Sequence, residues 1–155
     1  DTFYFSQLGT FIERADSTSR ILDVKYYHLL PSSEMVGSGK DNFQWTAILR
    51  SVSAHRSYRW VFKDAYRPWK IADYLILNRQ MPRSLRSCYD ELTQALNDLG
   101  VLYGGGEGVA RDDAEARRWD EKAAASGNAV AMAKLGVFYR EGIGVTLGLG
   151  ELKHH

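Results

Sequence analysis

Two short stretches in the second half of the chain repeat each other, and this repetition strongly limits the possible folds. Residues 99–109 read LGVLYGGGEGV and residues 135–145 read LGVFYREGIGV, so seven of the eleven positions are identical at an offset of 36 residues. LGVxY is typical of a helix end and GxGV of the turn after it, because glycine adopts backbone angles that other residues resist. Helix pairs that repeat at this period indicate a helical solenoid. We expect Gly100 and Gly136 to let a neighbouring helix approach closely.

Apolar residues recur at helical spacing along most of the chain. Turn formers, prolines at first helical turns and the GGG stretch after Tyr103 mark the ends of the elements. We therefore predict an all-α fold, a helical bundle of about four helices continued by a short helical hairpin of the solenoid type. The predicted helices span residues 3–30, 42–62, 68–78, 82–103, 112–127 and 128–140.

Composition excludes several classes of protein. The chain has 155 residues, 45% of them hydrophobic, which is enough for a substantial core. Cys88 is the single cysteine, so no intramolecular disulfide forms, and we expect this residue to pack in the core. No apolar run approaches the roughly 18 residues of a membrane span. These features favour a cytoplasmic protein, and the start at Asp1 favours a fragment or a processed product.

The stretch from Leu99 to Val145 resembles the Sel-one-like repeat, a relative of the tetratricopeptide repeat. The resemblance rests on the pattern LGxxYxxGxGV in both copies, on Trp119, on the run from Lys122 to Gly127 and on Ala131. It covers about residues 95–146 and implies a scaffold for protein–protein interaction without catalytic residues. Stacked repeats usually need about three units. We therefore expect residues 94–146 to pack on a bundle of residues 1–93, with residues 147–155 as a flexible tail.

Three earlier blocks are similar to the bacterial alpha-E domain family over about residues 3–92. They read LGTFIERADSTSRILDVKYYHLLP, WTAILRSVSAHRSYR and PWKIADYLILNRQMPRSLRSC. The resemblance implies a helical domain named for a recurrent Glu and Arg. Such domains are often encoded beside ATP-grasp-like proteins and transglutaminase-like proteases, which implies a role around making or trimming amide bonds. Full members of the family commonly have an earlier ERA-type helix, and its absence predicts a partial domain. The alpha-E-like and Sel-one-like resemblances meet inside one predicted helix, which indicates either natural recombination or an engineered chimera.

Charged residues at helical spacing form a candidate ligand site. Glu13, Asp16, Arg20 and Asp23 line one stripe of the first predicted helix, with Arg14 beside it. Three more arginines lie near the start of the fourth helix. The candidate ligand-binding set is Glu13, Arg14, Arg20, Arg79, Arg83 and Arg86. Because arginine holds carboxylates and phosphates in pairs, this set predicts either a pocket for an anionic or peptide-like ligand or a structural ion-pair network.

Charge is distributed unevenly along the chain. Residues 50–86 carry nine basic and two acidic side chains, whereas residues 88–128 carry nine acidic and four basic ones. Aromatic residues interleave with the basic ones between residues 56 and 70, a mixture that suits either base stacking and phosphate contact or a packed aromatic cluster. The two charged segments can equally be solvated faces.

Three classes of function remain open. The favoured class is a non-catalytic scaffold that docks a partner enzyme, since no nucleophile, acid–base pair, metal-ligand spacing or phosphate loop requires catalysis. The alternative is an enzyme subunit in ATP-dependent peptide or amide ligation that uses the Glu/Arg set. A less favoured class is a nucleic-acid binder that uses residues 50–86. We predict no cofactor, no metal and no membrane partner, and we do not predict an oligomeric state.

Overall fold

The computed structural model describes residues 2–29, 32, 36–63 and 66–144, and these residues form seven α-helices and no β-strand. The predicted all-α fold is therefore confirmed. None of the described helices is long and apolar enough to cross a membrane. The tail predicted for residues 147–155 lies outside the described residues. The helices are α1 (Thr2–Tyr27), α2 (Gly39–Ser51), α3 (His55–Val61), α4 (Pro68–Leu77), α5 (Leu85–Gly105), α6 (Asp113–Ala125) and α7 (Ala129–Glu141).

The single helix predicted over residues 42–62 is wrong, because the chain forms α2 and α3 there with a break between them. Ser53 in the break has a φ of 57°, a left-handed conformation that a right-handed helix does not contain. Val52 and Ala54 on either side of Ser53 are buried. Inward-facing apolar side chains thus continue across the break, which is why their spacing predicted one helix.

Both ends of α5 differ from the prediction by a few residues. The helix begins at Leu85 rather than at Pro82, because the Ser84 hydroxyl accepts a hydrogen bond from the Ser87 N–H at 3.0 Å, as an N-cap residue does. At the other end α5 continues through two of the three glycines. It ends before Gly106, whose φ of 71° is left-handed.

The described chain divides into two compact units, which we name by position. The N-terminal unit is residues 7–92, and the C-terminal unit is residues 2–6 with residues 93–144. The predicted domains, residues 1–93 and 94–146, stay a prediction, because compactness does not show that a segment folds by itself.

The N-terminal unit has one apolar core built from α1 to α4 and the turn after α4. Tyr58, Leu49, Ile71 and Leu75 are fully buried in it. Tyr58 stacks on Tyr66 with ring centroids 5.8 Å apart, and it meets Tyr74 edge-on at 5.5 Å. Aromatic pairs in these geometries add about 0.5–1.5 kcal/mol each beyond the area that they bury, so they hold α3 and α4 together.

Small residues bring the helices of the C-terminal unit into contact. Ala116 and Ala123 on α6 and Ala131 on α7 are fully buried, and α6 and α7 pack against each other. The Cβ of Ala116 lies 3.5 Å from a Cβ placed at Gly104 on α5. A Cβ atom at Gly100 would overlap the carboxylate of Asp120, so the predicted close approach at Gly100 is confirmed. The same prediction is wrong for Gly136 within the described part of the chain, since nothing lies within 4 Å of a Cβ placed there.

Candidate functional site

Glu13 and Arg14 are neighbours on α1 but have different surroundings. Glu13 is exposed, and no described residue forms a hydrogen bond or an ion pair with its carboxylate. Arg14 is half-buried, and its guanidinium carbon lies 5.3 Å from the centre of the Phe11 ring. Helix α1 therefore directs Arg14 towards the protein and leaves Glu13 open to solvent or to a ligand.

The positive charges of Arg14 and Arg83 both lower the pKa of the buried Cys88 thiol. Burial raises the pKa of Cys88, and this effect outweighs the lowering of that pKa by the positive charges of Arg14 and Arg83. Glu91 raises the pKa further. A buried thiol with a raised pKa is a poor nucleophile, and the predicted core position of Cys88 is confirmed.

The other three candidate arginines pair with nearby carboxylates at the surface. Arg20 Nε lies 2.8 Å from the Asp16 carboxylate within α1. Asp90 on α5 forms ion pairs with both Arg86, at 3.0 Å, and Arg79, at 3.6 Å. Exposed pairs of this kind contribute little to stability, because water and salt screen their attraction. Among the described residues, no ion pair of the candidate set joins α1 to α5. Arg14 and Arg83 share only their effect on the pKa of Cys88.

The most deeply buried charges lie outside the candidate set. Lys25 on α1 and Asp41 on α2 have side chains only 1% and 2% exposed, and Lys25 Nζ donates to Asp41 Oδ1 at 2.5 Å. Lys25 also donates to Gln44 Oε1 at 2.8 Å, while the Gly37 N–H donates to Asp41 Oδ2 at 2.9 Å. The position of Lys25, three residues after the buried Leu22, was the signal in the sequence for this inward-facing charge.

The environment of Asp41 stabilises its charged form. Burial by itself would raise the pKa of Asp41 and is the largest single effect. The hydrogen bonds from Lys25 and Gly37, with the positive charge of Lys25, together outweigh burial and hold the pKa of Asp41 below its ordinary value. With both partners charged and hydrogen-bonded, this pair joins α1 to α2.

A second buried carboxylate lies in the C-terminal unit. Asp120 on α6 is fully buried, and Lys134 Nζ on α7 donates to Asp120 Oδ1 at 2.5 Å. Asp120 Oδ2 accepts no hydrogen bond from the described residues. Burial raises the pKa of Asp120 more than the hydrogen bond and charge of Lys134 lower it. Asp120 is thus held in a site that partly favours its neutral form.

An open groove of about 520 Å³ lies in the N-terminal unit between α1, α4 and the start of α5. Helix α1 contributes Ser19, Leu22, Asp23, Tyr26 and Tyr27, and the other two helices contribute Ile76 and Leu85. Asp23 belongs to the charged stripe predicted for the first helix, but the tyrosines and the opposing apolar residues were not foreseen as parts of a site. Their convergence depends on how α4 packs against α1, which spacing within one helix does not reveal.

The interleaved aromatic and basic segment divides into a buried and an exposed part. Tyr58 is buried, and Phe62 and Tyr66 are half-buried in the aromatic cluster, so the packed-cluster interpretation is confirmed for these residues. Trp60 and Trp69 are 86% and 63% exposed. The two tryptophans are therefore available for contact with another molecule.

No group of three or more His, Cys, Asp or Glu side chains in the described part of the chain has the geometry to hold a metal ion. Three other features are candidate sites: Arg14 and Arg83, which lower the pKa of Cys88; the groove beside Asp23; and the exposed tryptophans Trp60 and Trp69.

A comparison with protein families matches residues 1–139 to Alpha-E, a predicted alpha-helical domain with a conserved ER motif. The chain has a single Glu-Arg dipeptide, Glu13–Arg14, which fits this description. The match continues well beyond residue 92, where the sequence resemblance was expected to end, and no comparison supports a Sel-one-like repeat. No curated protein and no solved structure gave a match. On the family match, which covers most of its length, the chain belongs to the Alpha-E family.

Proposed function

We propose that this protein is a non-catalytic helical module that binds a protein partner through the surface of α3 and the start of α4. The observation that carries the proposal is the exposure of Trp60 and Trp69. Leaving such large apolar side chains in water forfeits the free energy that their burial would give. Tryptophan and arginine are also the residues that most often dominate binding energy at protein interfaces.

The segments that carry the two tryptophans adjoin each other. Lys70 Nζ lies 5.6 Å from the ring centroids of both Phe62 and Trp69, so the end of α3 and the start of α4 meet at this lysine. Three exposed arginines lie on the same segments. We call this set the Trp–Arg surface: Arg56, Arg59, Trp60, Arg67 and Trp69. Its positive charge suits a partner with an acidic surface.

The class of partner is inferred from the family. Alpha-E domains are often encoded beside ATP-grasp-like proteins and transglutaminase-like proteases, and we propose that one of these enzymes is the partner. The protein would then be an accessory to a system that forms or trims amide bonds. We place it in the cytoplasm, because its single cysteine suits a reducing compartment.

We keep the Sel-one-like interpretation of residues 95–146 as part of the proposal. It is supported by matching backbone conformations in the two sequence copies. Gly106 and Gly142 have φ of 71° and 68°, and Gly108 and Gly144 have φ of 75° and 66°. The two turns therefore repeat in conformation as well as in sequence.

The test is a binding measurement with purified components. We expect an ATP-grasp-like or transglutaminase-like protein encoded beside the gene to bind the wild-type chain in isothermal titration calorimetry. Trp60→Ala and Trp69→Ala should each raise Kd about 30-fold, the effect of losing roughly 2 kcal/mol at a hot spot. Tyr139→Ala is the matched control, because Tyr139 is an aromatic residue that is 59% exposed on α7.

Two results would contradict the proposal. One is binding that both tryptophan variants leave unchanged. The other is tighter binding to single-stranded DNA or RNA, with an affinity that falls steeply as salt rises, because that behaviour identifies phosphate contacts.

A second candidate function, a subunit of an ATP-dependent amide ligase, is favoured by Arg14 and Arg83. Both are half-buried, both act on Cys88, and neither forms an ion pair with a described residue. A half-buried guanidinium group without a carboxylate partner among the described residues suits the binding of a phosphate or a carboxylate. In a thermal-shift assay, ATP–magnesium or short acidic peptides should then stabilise the wild type and Arg79→Met, but not Arg14→Met or Arg83→Met. No shift of the wild type would remove this candidate.

A further inference from the structure

We propose that the groove between α1, α4 and α5 binds a small organic cation with an apolar body. This site is separate from the Trp–Arg surface and shares no residue with it. The proposal rests on the shape of the groove, on the one carboxylate that faces it and on the two tyrosines beside that carboxylate.

The size of the groove fits a small molecule. Its volume of about 520 Å³ lies within the range of about 300–1,000 Å³ that is usual for ligand pockets. Leu22, which is 5% exposed, and the half-buried Ile76 and Leu85 contribute apolar surface. A hydrocarbon or aromatic body placed there would lose contact with water on one side, and this loss favours binding.

The charge of the groove selects a cation. Asp23 is the single charged side chain among the lining residues. No described residue forms a hydrogen bond or an ion pair with its carboxylate. Arg20, three residues earlier on α1, pairs instead with Asp16 at 2.8 Å. A ligand with a positive group would therefore supply a counter-charge that the protein does not.

The tyrosines favour the same class of ligand. Tyr26 and Tyr27 line the groove next to Asp23, and both are exposed, Tyr27 by 80%. Tyr26 is positioned by an edge-on contact with the buried Trp45, with ring centroids 6.2 Å apart. The faces of aromatic rings attract ammonium and guanidinium groups, and an adjacent carboxylate adds to this attraction.

The experiment uses two probes that have the same shape and opposite charge. Phenylbutylamine carries an aromatic ring, four methylene groups and an ammonium group, and phenylvalerate carries a carboxylate at the same place. Each is titrated into the full chain, and binding is followed by amide chemical shifts in NMR spectra. We expect phenylbutylamine to bind saturably, with the largest shifts at residues 19–27 and near residue 76, and phenylvalerate to bind at least about fivefold more weakly.

Variants connect the binding to the groove. Asp23→Asn should weaken phenylbutylamine binding about fivefold, the loss that corresponds to roughly 1 kcal/mol for an exposed charge pair. Tyr27→Leu should also weaken it, because the apolar volume remains while the aromatic face is lost. Glu107→Gln is the control, since it removes one exposed, unpaired carboxylate that lies outside the groove in the C-terminal unit. None of these exposed positions contributes to the core.

The proposal is overturned by any of three results: no saturable binding of phenylbutylamine, equal binding of phenylvalerate, or equal effects of Asp23→Asn and Glu107→Gln. The outcome does not depend on the partner protein, so failure here would leave the proposed function in place.

Discussion

At the scale of single residues, Lys25 and Asp41 form a deeply buried ion pair between two helices. Each side chain is almost completely buried, and the Lys25 ammonium lies 2.5 Å from the Asp41 carboxylate. Removing one partner of such a pair leaves an uncompensated charge in the interior, which is far more costly than losing a surface pair. The pair also fixes which faces of α1 and α2 meet, because Asp41 is bound to the Gly37 N–H just before α2 as well as to Lys25.

We expect Lys25→Met to lower the free energy of unfolding by about 3–5 kcal/mol. Methionine fills similar volume, so the loss would come from the stranded Asp41 carboxylate rather than from a cavity. Urea denaturation of the full chain measures it. Arg20→Met is the matched control, because Arg20 pairs with Asp16 in an exposed position and its loss should cost far less than the loss of Lys25. Similar costs for the two variants would refute the interpretation.

Asp120 should make stability depend on pH in the direction opposite to Asp41. When folding raises the pKa of a carboxyl group, the folded state favours the protonated form of that group. The group then stabilises the fold fully below its unfolded pKa, and this stabilisation is lost as pH rises through its folded pKa. Asp41, whose pKa is lowered, stabilises the fold above the unfolded pKa and loses this effect as pH falls. Between about pH 3 and about pH 7, we expect Asp120→Asn to gain stability relative to the wild type as pH rises.

The measurement is the urea midpoint of both proteins across that pH range. Asp98→Asn serves as the control, because Asp98 is a half-buried carboxylate on α5 that accepts a hydrogen bond from Gln94. A difference between wild type and Asp120→Asn that stays constant with pH would show that Asp120 keeps an ordinary pKa.

At the scale of helices, sequence spacing predicted which segments are helical better than it predicted where they bend. The long α1 and the short α4 match their predicted ranges within about three residues, because proline and turn formers mark their ends. The break at Ser53 was missed, since serine carries no signal for a left-handed conformation and the flanking residues are apolar. Sequence spacing placed Asp16 and Arg20 four residues apart on one stripe, and they form an ion pair there. Spacing within one helix could not show which arginines of the candidate set face a neighbouring helix.

The repeated glycines lead to a test of helix packing. Gly100→Ala should destabilise the protein, since the added Cβ would overlap the Asp120 carboxylate between α5 and α6. Gly136→Ala should be neutral or should stabilise α7 by about 0.5–1 kcal/mol, because alanine loses less conformational freedom than glycine in a helix and nothing described lies close by. Thermal unfolding of the two variants provides the comparison. A stabilising Gly100→Ala would mean that α6 does not approach α5 as described.

At the scale of the whole molecule, the family match spans a point where the sequence resemblances had suggested a seam. The match to Alpha-E runs over residues 1–139, and α5 continues without a break across residue 92. The opposite charge of residues 50–86 and residues 88–128 was visible in the sequence. The groove beside Asp23 and the exposure of Trp60 were not, since both depend on which helices pack together and which faces remain free.

Cutting the chain inside α5 tests whether residues 1–89 need the later helical segments for stability. A fragment of residues 1–89 would keep five residues of α5, a length far below the roughly 12–15 residues at which isolated helices become marginally stable. Ser87 and Cys88, which are buried, would then lose the helix that holds them. We expect this fragment to melt about 10 °C below the full chain by circular dichroism, a shift equivalent to roughly 1–3 kcal/mol.

A second fragment separates helix length from support by the later helices. Residues 1–97 keep thirteen residues of α5 but lack α6 and α7. If the length of α5 is the main requirement, this fragment should melt close to the full chain. If it melts as low as residues 1–89, then residues 98–144 stabilise the earlier helices, as the predicted packing of the repeat on the bundle requires. Melting of residues 1–89 at the temperature of the full chain would contradict both explanations, because the N-terminal unit would then be stable without most of α5.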